Sequence, residues 1–184
     1  MIRRCDQSDE ATIYHVINES AKAYKGIIAE DCYHEPYILL EELRSEMNKM
    51  MFFGYEEHGE ILAVAGYQLV NDVTLVRHTY VLPEHQRKSV GGKLLDHIKH
   101  ITTTRRLLVG TWKVGSWAIS FYQRYGFTLL ANKDELLRRY WKISERQIEL
   151  SVVLGITLPS KNLVKKEEAT KTRRKLMDAE PVIL

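Results

Sequence analysis

The residues from Gln86 to Gly92, QRKSVGG, have the composition of an anion site. Arg87 and Lys88 bring positive charge. Gly91 and Gly92 are small enough to let the chain approach a ligand closely. Val90 opens an apolar-periodic run through Leu94, Leu95, Ile98 and Ile101, so the loop leads into an amphipathic helix. A helix start leaves backbone N–H groups unpaired and carries partial positive charge, which suits a phosphate. A second constellation follows: Ala118, Phe121, Tyr122, Gly126 and Phe127, spaced as AxxFYxxxGF. It reads as a short helix, N-capped by Ser116 and stopped by Gly126.

These residues need elements to hold them. Ile2 to Arg4 reads as a short first strand. Ser8 and Asp9 offer caps for a helix with Ile13, Val16 and Ile17 on one face. The segment Ala23–Cys32 mixes glycine, aromatics and acids and reads as a loop. Pro36 suits the first turn of a second helix, continuing through Leu43 and Met47. From Met51 the period changes: MFFGYEE, ILAVAGYQLV and VTLVRHTYVL read as three antiparallel strands, with turns at His58-Gly59 and Asn71-Asp72. The anion loop and its helix come next. RRLLVGTW is then a strand buried on both faces. DELLRRYW reads as a helix capped by Asp134, and RQIELSVVL as a last strand. The order predicts an α/β layered fold: a mixed, mostly antiparallel central sheet covered by helices.

Composition narrows the class. At 184 residues the chain can build one domain with a sizeable core. A net charge of +3 demands no nucleic-acid partner. Cys5 and Cys32 form neither a metal cluster nor a disulfide framework, and no residue set calls for a metal. No apolar run is long enough for a membrane helix, and MIRRCDQSDE lacks a signal-peptide core. A cytoplasmic location is expected. From Pro159 the character changes. KNLVKKEEATKTRRKLM is highly charged, with helical pairs such as Glu167–Lys171. The expected division is a domain over residues 1–158 and a charged, partly helical extension over 159–184.

The two motifs, in this order, resemble those of the GNAT superfamily of acyl-CoA-dependent N-acyltransferases, over roughly residues 1 to 155. The first, [Q/R]-x-x-G-x-[G/A], is here Gln86-Arg87-Lys88-Ser89-Val90-Gly91, with Ser89 in place of the first glycine. Serine still supplies its N–H but resists a left-handed backbone. The second, N-x-x-A-x-x-F-Y-x-x-x-G-F, is complete except that Gly115 replaces the asparagine.

The resemblance implies that the central sheet contains a splayed parallel pair, with helices on both faces. It implies acetyl-CoA as co-substrate, without a metal, and an amine acceptor. The pyrophosphate would lie on Arg87, Lys88, Ser89, Val90, Gly91 and Gly92. The pantetheine arm would pair with Thr79, Tyr80 and Val81, and Ala118, Phe121 and Tyr122 would line its other side. The Val81 N–H would stabilise the oxyanion, and Tyr122 would protonate the leaving sulfur. Relatives with a strand base place it where Leu75 or Arg77 stands, and neither can serve. Strand alternation turns His78 to the opposite face from both. His78 stays a candidate base, with a packing histidine expected ahead of it; Glu30, Asp31, His34, Glu35 or water are the others. Trp112 could line the acceptor pocket or the core. Tyr24, Tyr33 and Tyr37 could form an aromatic wall or pack helices. The implied activity is N-acetyl transfer to a primary amine; the alternative is a non-catalytic acyl-CoA sensor. For the basic tail, Lys161 to Lys175, a solvated helix or an oligomer contact is expected ahead of nucleic acid, and RQIELSVVL could pair with a second copy as a homodimer.

Overall fold

The computed structural model describes residues 1–159. The tail reading, including the pair Glu167–Lys171, lies outside the described residues. Seven strands form one sheet: β1 (Ile2–Arg4), β2 (Met51–Glu57), β3 (Glu60–Val70), β4 (Val73–Val81), β5 (Arg106–Trp112), β6 (Thr128–Leu129) and β7 (Ser151–Thr157). Among the described residues six α-helices accompany them: α1 (Glu10–Ala21), α2 (Leu40–Met47), α3 (Val90–Ile101), α4 (Ser116–Arg124), α5 (Lys133–Tyr140) and α6 (Glu145–Leu150). The strand order is β1-β2-β3-β4-β5-β7-β6, antiparallel except between β4 and β5.

Helices cover both faces, as the alternating apolar residues require. On one face α3 and α4 bury Leu94, Leu95, Ile98, Tyr122 and Phe127 against Ala63, Ala65, Val76, Leu107 and Val109. On the other, α1 and α2 bury Ile13, Val16, Ile17 and Leu43 against Phe52, Val64 and Leu82. Beyond them α5 and α6 bury Leu136, Leu137, Tyr140 and Ile148 against Leu75, Leu108 and Val153.

Several boundaries differ from the sequence reading, each for a local reason. Asp9 is the N-cap of α1, without a side-chain bond of its own to the helix, and Asp6 caps the 3-10 turn Gln7–Asp9 that leads into it. The Asp6 carboxylate accepts the Ser8 N–H at 2.8 Å, while Asp9 accepts the Asp6 N–H at 2.9 Å and pairs with Arg3 at 2.8 Å. Helix α2 begins at Leu40, after Pro36, because the Asn18 side chain binds both the N–H (3.0 Å) and the C=O (3.3 Å) of Ile38. Those are groups a helix would need for itself. Gly115, ahead of Ser116, caps α4, and Asn132, ahead of Asp134, caps α5. RQIEL is helical: Ser144 and Gln147 form a capping box that starts α6, and the strand begins only at Ser151.

Two details of the sheet position the site. The parallel pair β4–β5 is joined only from Val73 to Leu75 against Arg106 to Leu108. Beyond that both strands continue unpaired to each other, while β5 stays bonded to β7 along its whole length. On its other edge β4 carries a bulge: Tyr80 faces Val64 and Arg77 faces Gly66, so His78 and Thr79 together oppose Ala65. A bulge bends the strand that carries it, and β4 leaves β5 at this point.

Candidate active site

The opening between β4 and β5 is lined by backbone on the β4 side. The Leu82 N–H donates to Leu62 at 3.0 Å across the β3 edge. Neighbouring N–H groups in a strand point in opposite directions, so the Val81 N–H turns away from β3, toward β5. The Val81 carbonyl accepts the Gln86 side-chain amide at 3.2 Å.

At the end of β4 the chain passes Pro83–His85 and enters α3 through an exposed loop. The first helical hydrogen bond there is Lys93 N–H to Ser89 at 3.1 Å. No side chain caps α3 and no acid stands in its first turn. Its leading N–H groups are therefore available, and among the described residues no carboxylate pairs with Arg87 or Lys88. Ser89 takes the left-handed conformation, φ 60° and ψ 10°, that glycine would occupy freely. Serine thus takes the backbone it resists, at a cost in local strain.

Gly91 and Gly92 are buried, and their missing side chains face protein. A Cβ on Gly91 would lie 3.2 Å from Val81 and 3.4 Å from Phe121; one on Gly92 would lie 1.6 Å from the Tyr125 hydroxyl. Helix α3 is thus pressed against α4 at its first turn. The small residues expected to admit a ligand are required by this packing.

Helix α4 carries Ala118, Phe121 and Tyr122. The Tyr122 ring is buried edge-on to Phe121 and Phe127, and its hydroxyl lies beside that of Thr79. The Thr79 oxygen is itself buried without a well-aligned hydrogen bond. Burial raises the Tyr122 phenol well above the usual tyrosine range, so it holds its proton at any ordinary pH.

On the opposite face Tyr80 meets a cluster of rings. Tyr24 stacks on Tyr37 (centroids 6.1 Å apart) and touches Trp117 (5.3 Å). Tyr33 packs on Tyr37 at 6.0 Å. The Trp112 Nε1–H donates to the Tyr37 hydroxyl at 2.8 Å, and the Tyr80 hydroxyl lies beside the same oxygen. Tyr24, Tyr33, Tyr37 and Trp112 therefore pack as one cluster of rings. Tyr24 also lies 3.3 Å from where a Cβ on Gly115 would stand, filling space an asparagine there would need.

The bulge corrects one expectation. His78 has φ 50°, and both Arg77 and His78 reach Glu46 of α2, at 2.7 Å and 3.3 Å. The imidazole is on the same face as Arg77 because the extra residue interrupts alternation. It stacks on Phe52 at 5.7 Å. Burial, with Arg77 nearby, lowers its pKa. Burial would raise the Glu46 carboxyl, but His78 and Arg77 outweigh it and hold the group below the usual range. Of the loop acids, Asp31 pairs with Arg146 at 3.0 Å, and Glu35 pairs with Lys25 at 3.0 Å and accepts from Tyr33 at 2.9 Å. Glu46 and the bulge were missed in the sequence; neither leaves a compositional mark.

Residues 48–129 match the family model described as an acetyltransferase (GNAT) domain. Comparison with curated proteins finds no match. Among solved structures, PaiA N-acetyltransferase from Thermoplasma acidophilum, in complex with coenzyme A, is similar with a TM-score of 0.63. The identity is 20%, over 85% of this chain and 98% of that one. A GNAT family acetyltransferase from Elizabethkingia anophelis with acetyl-CoA bound gives 0.57 at 18% identity, over 86% and 97%. The ribosomal-protein-S18-alanine N-acetyltransferase from Escherichia coli gives 0.55 at 18% identity, over 88% and 97%. At these identities the likeness is one of fold. No helix among the described residues is long and apolar enough to cross a membrane.

Proposed function

We propose, from the match of residues 48–129 to a GNAT acetyltransferase domain, that the chain transfers an acetyl group from acetyl-CoA directly to a primary amine. One observation carries the reading: β4 and β5 part beyond Leu75 and Leu108, beside the uncapped start of α3. The chain fits such a co-substrate. Arg87 to Gly92 present cations and free N–H groups to a pyrophosphate. Thr79, Tyr80 and Val81 offer a strand edge to an amide-bearing arm. Ala118 and Phe121 line the α4 side.

Acetyl-CoA supplies an activated acyl group. The Val81 N–H donates to its carbonyl oxygen as charge develops there. The amine nitrogen bonds to the carbonyl carbon and the carbon–sulfur bond breaks. One proton leaves the nitrogen for water, and Tyr122 gives one to sulfur, to be restored from water. Burial keeps the phenol protonated, as a donor to sulfur must be, while the upward shift makes it a weaker acid. Leu75 is apolar, Arg77 is paired with Glu46, and His78 is held between Glu46 and Phe52, so water takes the proton.

Calorimetry with coenzyme A, then an amine panel with acetyl-CoA followed by free thiol, tests the reading. One structural neighbour is an alanine N-acetyltransferase of a ribosomal protein, so peptide amino termini belong in the panel beside small amines and lysine. Tight binding without turnover on any amine would favour a non-catalytic sensor, a reading to which Ser89 and Gly115 lend some support. We assign the catalytic unit to residues 1–158 and the charged extension to 159–184. A cytoplasmic protein is proposed.

A further inference from the structure

Tyr37 precedes α2, yet its hydroxyl is bonded to one of the diverging strands and adjoins the other. It accepts from Trp112 Nε1, on the last residue of β5, at 2.8 Å, and it lies beside the Tyr80 hydroxyl on β4. A phenol oxygen has two lone pairs and one proton. Trp112 occupies one lone pair, and Tyr37 keeps its proton to offer. Tyr80 adjoins Val81, whose N–H is directed into the same opening. A developing oxyanion is best held by more than one donor, and the backbone supplies one. Tyr122 approaches from the opposite face, through Thr79. The opening is thus bracketed by two phenols on its two sides.

Building on the acetyl-transfer reading, we infer that the Tyr37 hydroxyl is a second donor to the acyl carbonyl oxygen, acting with the Val81 N–H. The proton stays on Tyr37 throughout; only a hydrogen bond is made. Burial pushes this phenol up to about 12, so it remains a donor across the working range. Trp112 is a positioning residue: its indole N–H fixes which way the Tyr37 proton can point. If the hydroxyl only tied the loop to the sheet, its loss would lower stability and leave the bound thioester untouched.

Infrared difference spectroscopy of carbonyl-labelled acetyl-CoA on the full chain separates these cases without needing the acceptor. In the wild type the bound carbonyl stretch moves to lower frequency than in solution. Tyr37→Phe returns it part of the way, leaves coenzyme A affinity within about twofold, and slows acetyl transfer or slow hydrolysis by roughly 100-fold. Trp112→Phe gives a broadened or intermediate band. An identical band in wild type and Tyr37→Phe, with coenzyme A still bound, overturns the inference while leaving the acetyl-transfer reading intact. A wild type that binds neither coenzyme A nor acetyl-CoA overturns both.

Discussion

Ser89 and Tyr122 show how much one residue decides at this site. Ser89 holds a left-handed backbone that costs a non-glycine residue about 1 kcal/mol. Ser89→Gly should raise stability by up to that amount, or roughly 2–4 °C in Tm, with coenzyme A affinity retained because the N–H remains; thermal melts and calorimetry check both. For Tyr122, removing the hydroxyl removes the proposed acid but not the ring packing. Tyr122→Phe should lower kcat about 100-fold and leave coenzyme A binding nearly unchanged; equal turnover would exclude the phenol as an essential acid. Both residues were legible from the sequence, since the motifs place them. The strain at Ser89 was not, because a dihedral angle is chosen by the packing of α3 as well as by the side chain.

Packing between elements sets the next level. The first turn of α3 meets α4 through Gly92 and Tyr125, with no room for a methyl group. Gly92→Ala should cost about 1–3 kcal/mol by overpacking and weaken coenzyme A binding, since the turn that must move is the proposed phosphate cradle. Combining it with Tyr125→Leu should recover part of the loss; failure to do so would argue against this contact. On the other face, Glu46 joins α2 to the bulge of β4. The fold favours neutral His78 and ionised Glu46. Around the ordinary histidine value of 6.5 the unfolded chain binds a proton that the fold resists. The His78 contribution is therefore full above that value and declines as pH falls through it; the Glu46 contribution declines further, as pH falls below 4.5. His97, also lowered by burial, shares the sign. Melting curves from pH 7 to 5 should accordingly fall less steeply for His78→Gln than for the wild type. The bulge behind this pair could not be read from VTLVRHTYV, because one extra residue changes no composition while it turns His78 to the other face.

Across the whole molecule, ligand binding and fold stability are linked. If the opening receives coenzyme A, then at about 100 times its Kd the ligand should add about 2.7 kcal/mol to stability. That is several degrees in Tm, and a chain cut after residue 159 should respond equally; a flat melting curve would contradict the site. The sequence by itself determined the layered α/β class, the strand meander, the loop into α3 and the AxxFYxxxGF helix. Those follow from period, turn residues and motif spacing, all local properties of the chain. It misread RQIEL as strand and placed α2 early, because a capping box and the Asn18 clamp outweigh β-propensity and a proline signal. Tertiary structure alone decided where β4 leaves β5, which face His78 takes, and that a loop tyrosine meets residues from both strands. Each of these depends on contacts between residues far apart in the chain, and no local pattern encodes the distance between them.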